Sequence, residues 1–183
     1  AEQIETLFED LAEYTELDKE STYFLGTIVS YTNDNGEQEI IDGQQRITSL
    51  FLLLRAFYAK LVSMVETPEA KNFKSQIESA LWEQDELTAA VDYQKILITS
   101  RVMGDEGNDS FANILTTGKA KPEAKDNYSR NYHLFIEMVE KYATVQPGMF
   151  YYFIRNLLNK AILLPITADS QDTALTIFST LND

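Results

Sequence analysis

The chain has 183 residues, no cysteine and a single histidine, which excludes disulfides, Cys-ligated zinc, thiol nucleophiles and any site built on a His pair. Its 29 acidic and 15 basic residues give a net charge of -14, which argues against broad nucleic-acid binding because such binding needs clustered Lys and Arg. With 44% apolar residues the chain can bury the core of one domain, and no apolar run approaches the roughly 20 residues of a membrane span.

The first predicted elements are a helix and a β-hairpin. Apolar residues at helical spacing predict a helix over Glu2–Tyr14, with an acidic outer face. Strand-like segments over Tyr23–Tyr31 and Gln38–Ile41 flank an Asn-Asp-Asn-Gly turn, which is typical of a hairpin. Gly26 lies inside the first strand, where it indicates either a β-bulge or the close approach of another group to the backbone.

A long apolar helix follows the hairpin, and we expect it to be central to the core. Its apolar residues begin at Ile47 and the pattern ends near Val65. The next predicted elements are a helix that starts at Pro68, a strand over Lys95–Thr99, a loop over Gly104–Asp109, a short helix over Ser110–Leu115 and a loop over Thr116–Ser129. They are followed by a helix through Tyr132 and Tyr142, a helix that starts at Pro147, a strand over Ala161–Ile166, and a last helix capped by Asp169 or Ser170. Pro165 within the last strand indicates an edge or a bulge. These elements predict an α+β fold, in which a small mixed sheet of four short strands is surrounded by about seven helices.

A run of polar residues joins the second strand to the long helix. Asp42 and Gly43 interrupt the apolar strand, and glycine permits backbone angles that other residues avoid. Free backbone N–H groups at the helix start, together with the forked donors of Arg46, favour an anion such as phosphate. The remaining side chains are neutral hydrogen-bonding groups: Gln44, Gln45, Thr48 and Ser49. This run therefore predicts a binding pocket.

Each residue of the run also has a purely structural interpretation. Asp42 is a candidate to orient a magnesium-bound or attacking water in phosphoryl transfer, or else is a helix cap or turn residue. Arg46 either binds phosphate or forms an internal ion pair, while Gln44 and Gln45 either face a ligand or hydrogen-bond the loop itself. No metal site is predicted, because the Asp- and Gly-rich segment 104–109 lacks the ligand spacing and the closing Glu of a calcium loop.

Three segments, taken in order, carry a family resemblance: Tyr23–Ile28, Ile40–Leu50 with its Asp-Gly-Gln-Gln-Arg core, and Ile177–Asp183. They resemble the N-terminal, ParB/sulfiredoxin-like domain of GmrSD-type modification-dependent restriction proteins and their anti-phage relatives. The resemblance covers nearly the whole chain and implies one such domain over residues 1–183, with helical insertions. It also implies a cytoplasmic module that binds, and often hydrolyses, a nucleotide to regulate a C-terminal HNH-type nuclease.

The resemblance implies specific roles for residues of this chain. The ligand is expected to be a nucleoside triphosphate, with Mg²⁺ as its candidate companion. Asp42 and Arg46 are then the catalytic candidates. The phosphate-binding candidates are Gly43, Gln44, Gln45, Arg46, Thr48 and Ser49, and the candidate pocket walls are Phe24, Gly26 and Asn182.

The chain departs from the family pattern at both of its ends. The chain begins at Ala1 after the point where the family has an aromatic and basic segment, and it stops at Asp183 before the usual Arg-Gly. We therefore expect a fragment of a longer protein, without the nuclease domain.

Two alternative functions remain open beside the nucleotide-binding module. They are a reader of DNA modification that uses the same pocket and a non-catalytic scaffold that binds a protein partner.

Overall fold

The computed structural model describes residues 2–17, 23–98 and 105–181 of the chain. This part contains seven helices and five strands, which confirms the predicted α+β class. The elements are α1 (Glu2–Glu16), β1 (Tyr23–Thr32), β2 (Gln38–Asp42), α2 (Gln44–Ser63), α3 (Pro68–Leu81), β3 (Trp82–Gln84), β4 (Val91–Ile96), α4 (Asp105–Thr117), α5 (Asn127–Val145), α6 (Phe150–Asn159), β5 (Ala161–Ala168) and α7 (Gln171–Leu181). No helix within the described ranges combines the length and the apolar character that a membrane span requires.

Strand β1 is the centre of a mixed three-stranded sheet of order β2-β1-β5. It runs antiparallel to β2 and parallel to β5. Pro165 lies on the outer strand β5, where it pairs with Ile28. An outer strand tolerates a residue without an N–H, so the edge position predicted for Pro165 is confirmed. The pairing of β1 with β5 shifts register between Phe24 and Gly26, and Gly26 has φ of 137°, so the predicted bulge is confirmed.

The helices and the sheet have two distinct apolar cores. The larger core surrounds α2, in which Leu53, Phe57 and Leu61 are fully buried, and α2 contacts α3, α4 and α5. The smaller core lies between the sheet and α7, where Val29 and Ala174 are fully buried. Only Gly43 separates the end of β2 from the start of α2, so this single residue joins the sheet to the helix at the centre of the larger core.

Two predictions about the middle of the chain differ from the structure. The strand expected over Lys95–Thr99 is β4, which starts earlier and forms a second, two-stranded sheet with β3 rather than joining the main sheet; Thr99 lies outside the described residues. The loop expected over Gly104–Asp109 is wrong from Asp105 onward, because that residue starts α4; Gly104 lies outside the described residues.

A buried cation links α2 to the end of α4. The side chain of Arg55 is only 7% exposed, its Nε donates a 3.0 Å hydrogen bond to the carbonyl oxygen of Leu115, and its guanidinium lies over the rings of Tyr58 and Trp82. Burial lowers the pKa of Arg55 below its usual value. Gly118 follows α4 with φ of 73°, and a Cβ there would lie 2.7 Å from the Arg55 Cζ. The guanidinium thus occupies the space that a side chain at position 118 would need.

Gly118→Ala is therefore expected to lower the free energy of unfolding by about 1.5–3.5 kcal/mol. A left-handed backbone costs a non-glycine residue roughly 1–2 kcal/mol, and displacing Arg55 loses a hydrogen bond worth about 0.5–1.5 kcal/mol. Urea denaturation measures the change. In an Arg55→Met background the same substitution should cost only the backbone term, and an equal cost in both backgrounds would contradict the proposed contact.

Candidate functional site

The start of α2 opens into a cleft of about 980 Å³. Its walls come from α1, the strands β1 and β2, the first half of α2, the beginning of α5, and α7. All residues that the sequence assigned to the phosphate site line this cleft: Asp42, Gly43, Gln44, Gln45, Arg46, Thr48 and Ser49. The fold therefore gathers the predicted residues around one space.

Gly43 brings the start of α2 against the central strand. It has φ of 92° and is the N-cap of α2, without a side-chain hydrogen bond to the helix. A Cβ at this position would lie 2.9 Å from the carbonyl oxygen of Thr27 and 3.1 Å from Cγ1 of Ile28. The first helical hydrogen bond runs from Ile47 N to Gly43 O, so the preceding N–H groups of the helix have no carbonyl acceptor within it. These amides are the donors that the sequence predicted.

The guanidinium of Arg46 lies over the glycine of β1. Its Nη1 donates a 3.0 Å hydrogen bond to the carbonyl oxygen of Thr27, and a Cβ at Gly26 would lie 2.9 Å from Arg46 Cζ. The predicted close approach to Gly26 is thus confirmed, and the approaching group is Arg46. The side chain is exposed, and the ion pairs found within the described residues do not include it. An internal ion pair, the structural interpretation of Arg46, is therefore not observed in this part of the chain.

The other polar residues of the run divide into two groups. Gln44 Nε2 donates to the carbonyl oxygen of Ile40, and Thr48 Oγ1 donates to that of Gln44 at 2.9 Å, so both side chains stabilise the local backbone. This is the structural interpretation that the sequence allowed for Gln44. The side chains of Gln45 and Ser49, by contrast, have no hydrogen-bond partner among the described residues. They remain accessible to a ligand in the cleft.

Asp42 ends β2 and does not cap α2. It pairs with Val29 in the sheet and is half-buried, whereas the N-cap position of α2 is occupied by Gly43. Asp42 is also one of the residues that line the cleft. The helix cap is therefore wrong for Asp42. Its roles as a turn residue and at a reacting water both stay predictions.

The three predicted wall residues have different outcomes. Gly26 lies behind the guanidinium of Arg46 rather than on the surface of the cleft. The side chain of Phe24 and the whole of Asn182 lie outside the described residues. Leu25 and Phe178 contribute apolar wall surface instead.

Sequence patterns did not reveal the contributions of α1 and α5. Gln3 and Thr6 of α1 and Asn127 and Asn131 of α5 all line the cleft. Each lies on the polar face of an amphipathic helix, a place where polar residues need no functional reason. No local signal distinguishes them from other solvent-facing residues, so only the packing of the helices identifies them.

The electrostatics of the cleft combine converging helix starts with several carboxylates. Helices α1, α2 and α5 all place first-turn residues in the wall, and the N-terminal end of a helix carries partial positive charge. Among the described lining residues Arg46 is the only base, whereas Glu2, Asp10 and Asp42 are acidic. The donors for an anion are concentrated at the start of α2, and the acids on the other walls disfavour a bare polyanion.

One known family matches the chain over its whole length. The sequence model of the family described as "GmrSD restriction endonuclease, N-terminal domain" matches residues 1–183. A search of curated proteins finds no significant match. Because the family match extends over the whole chain, this protein belongs to the family of GmrSD restriction endonuclease N-terminal domains.

Proposed function

We propose that the cleft binds a nucleoside triphosphate together with Mg²⁺ and hydrolyses it, so that the domain acts as the regulatory module of a modification-dependent restriction or anti-phage nuclease. In this proposal the HNH-type nuclease domain is a further part of the full-length protein, and modified DNA is reached through that protein. The observation that carries the proposal is the uncapped start of α2, with Gly43 and Arg46 facing one large cleft.

In this proposal the phosphates bind at the start of α2. An uncapped helix start offers several backbone N–H donors and a partial positive charge to one anion. Arg46 adds a permanent cation with five N–H donors, of which one bonds Thr27 O. Its exposed position leaves the other donors within reach of phosphate oxygens. The hydrogen bond to β1 therefore positions the side chain and still leaves N–H groups for the ligand.

Asp42 is the candidate to orient the attacking water. Phosphoryl transfer depends chiefly on positioning and on neutralisation of charge, so one well-placed carboxylate and one guanidinium suit the reaction. Attack on the terminal phosphorus would release a nucleoside diphosphate and inorganic phosphate. Asp42 lies on β2 and Arg46 on α2, and Gly43 fixes the turn between them, so the two groups are held on opposite sides of one tight connection.

The acidic residues of the cleft favour a metal-bound nucleotide over a free one. Carboxylate oxygens such as those of Glu2, Asp10 and Asp42 are ligands that Mg²⁺ accepts, and Mg²⁺ commonly binds one or two carboxylates together with substrate phosphates. When bound, Mg²⁺ supplies neutralisation of charge on the phosphate oxygens. No group of three or more His, Asp or Glu side chains placed to hold a metal occurs among the described residues, so the ion is expected to arrive with the nucleotide.

The size and charge of the site favour nucleotide over duplex DNA. A volume of about 980 Å³ is at the upper end of the roughly 300–1,000 Å³ typical of small-molecule sites. A DNA reader would need cations along the rim, yet the described lining residues include one base and three acids. The net charge of -14 acts in the same direction.

Equilibrium titration of the chain with ATP, GTP, CTP and UTP tests the proposal directly. We expect saturable binding of at least one triphosphate in the presence of Mg²⁺, binding at least about 10-fold weaker with EDTA, and release of inorganic phosphate that requires Mg²⁺. Binding of a modified duplex without any binding of nucleotide would favour the reader instead. A folded protein that binds neither would identify the scaffold, and either result would overturn the proposal.

A further inference from the structure

We infer that Asn127 and Asn131, on α5, form the part of the cleft that reads the nucleobase of the bound nucleotide. The inference rests on the proposed nucleotide function and adds the residues that determine specificity. It places the triphosphate at α2 and the nucleoside at α5, across the same cleft.

The two amides belong to one face of a firmly held helix. Asn127 and Asn131 are four positions apart, so they are neighbours on the surface of α5, and both line the cleft. Neighbouring residues fix the helix, since Tyr128 and Tyr132 are buried and Ser129 N donates a 3.0 Å hydrogen bond to the carboxylate of Asp126. An amide pair on such a helix is presented to a ligand with little loss of backbone freedom on binding.

Neither amide is used to hold the fold together. Asn127 is exposed and Asn131 is half-buried, and neither side chain has a hydrogen-bond partner among the described residues. Asn113, by comparison, donates to the carbonyl oxygen of Lys119 and thereby stabilises a turn. The absence of such a partner at positions 127 and 131 leaves both donors and acceptors of the two amides available to a bound molecule.

The chemistry of an amide fits a base better than a phosphate. A phosphate group offers only acceptors, so the amide oxygen would face another acceptor. A nucleobase edge offers a donor beside an acceptor, which an Asn side chain can match with two hydrogen bonds. Leu7, Leu50 and Phe178 line the same cleft and supply apolar surface for the faces of the base.

The charges of the cleft assign the two ends of the nucleotide. Arg46 and the uncapped helix start lie at α2, whereas Glu2 and Asp10 lie on α1 and the carboxylate of Asp126 already occupies the start of α5. The phosphates are therefore directed toward α2. The base, at the other end of the nucleotide, is left with the neutral amides of α5.

The test compares the dissociation constants of ATP, GTP, CTP and UTP, and of inorganic tripolyphosphate, all with Mg²⁺. For the unchanged chain we expect the tightest and weakest nucleotides to differ by at least about 10-fold, since an unmatched hydrogen-bonding group at the base loses that factor or more. In Asn127→Ala/Asn131→Leu the ratio should fall to about 2-fold or less, while tripolyphosphate binds within about 2-fold of its original affinity. Retained tripolyphosphate binding also shows that the variant is folded.

Asn72→Leu, on an exposed position of α3 outside the cleft, is the matched control and should leave all affinities unchanged. A double variant that keeps the original ratio of nucleotide affinities would overturn the inference and leave the proposed function standing. An unchanged chain that binds the four nucleotides equally would also overturn the inference alone. A chain that binds neither nucleotide nor tripolyphosphate would overturn both.

Discussion

Replacing Arg46 by alanine is expected to weaken Mg²⁺–nucleotide binding by roughly 10- to 150-fold. A hydrogen bond to a charged group contributes about 1.5–3 kcal/mol, and every 1.4 kcal/mol changes a dissociation constant tenfold. Arg46 is the only base among the described residues that line the cleft, so no neighbouring cation can replace it. Isothermal titration of both proteins with the tightest-binding triphosphate measures the change.

The folded structure should tolerate this substitution. Because the Arg46 side chain is exposed, water competes for its hydrogen bond to Thr27 O, and the bond contributes no more than about 1.5 kcal/mol to stability. A loss of binding without a comparable loss of stability therefore indicates a direct role at the phosphates. Denaturant unfolding of the same protein preparations supplies this comparison.

Two variants separate the guanidinium from its charge. Arg46→Lys keeps a cation without the forked donors, and we expect an affinity between those of the parent and the alanine variant. Arg130→Ala removes the same charge from an exposed position of α5 outside the cleft, and it should leave the affinity within about 2-fold. Equal affinities of the parent and Arg46→Ala would remove Arg46 from the site.

The second large effect is expected from Gly43→Ala, which should lower the free energy of unfolding by about 2–6 kcal/mol. The residue has φ of 92°, and that backbone costs a side chain roughly 1–3 kcal/mol. The added methyl group would lie 2.9 Å from the carbonyl oxygen of Thr27, and such overpacking costs a further 1–3 kcal/mol, approximately. Since the obstacle is the backbone of β1, relief requires that the strand and the start of α2 separate.

The same separation should disturb the cleft. The helix amides and Arg46 both depend on the position of the first turn of α2, so we expect nucleotide binding to weaken by at least 10-fold at temperatures where the variant is folded. Thermal unfolding followed by circular dichroism gives the stability, and titration below the transition gives the affinity. A variant of unchanged stability would show that Gly43 is not constrained by β1.

Two other glycines serve as controls for Gly43→Ala. Gly36 also has a positive φ, of 79°, but nothing lies within 4 Å of an added Cβ, so Gly36→Ala isolates the backbone term. At Gly148 nothing lies within 4 Å of an added Cβ, and the backbone φ is not left-handed. Gly148→Ala should therefore change the free energy of unfolding by less than about 0.5 kcal/mol. The expected order of destabilisation is Gly43, then Gly36, then Gly148.

Elements with a strong periodic pattern were predictable from sequence. The apolar spacing of α2, the turn between β1 and β2, and the edge position of Pro165 each depend on residues close together in the chain. The start of α4 was missed because Asp, Gly and Asn favour both loops and helix starts. The pairing of β4 with β3 was missed because the three residues of β3 are too few to show a period.

Some residues of the candidate site could likewise be predicted from sequence, and others could not. The run from Asp42 to Ser49 could be recognised from sequence because a strand, a glycine turn and a helix start are consecutive, and each has a local signature. The contact of Arg46 with Gly26 could not, since the two residues belong to different elements and meet only when α2 packs on β1. The amides of α5 could not be recognised from sequence either, because only the folded structure shows that they line the cleft and are not ordinary surface residues.

Local sequence therefore specified the helices, the hairpin and the residues best suited to hold an anion, because backbone angles and first-turn donors are set by neighbours in the chain. The tertiary packing decided that these residues face a cleft and which side chains of α1, α5 and α7 line it with them. That arrangement arises from burial of apolar faces, which fixes the distance between elements far apart in sequence and leaves no trace in the polar residues that come to line the space.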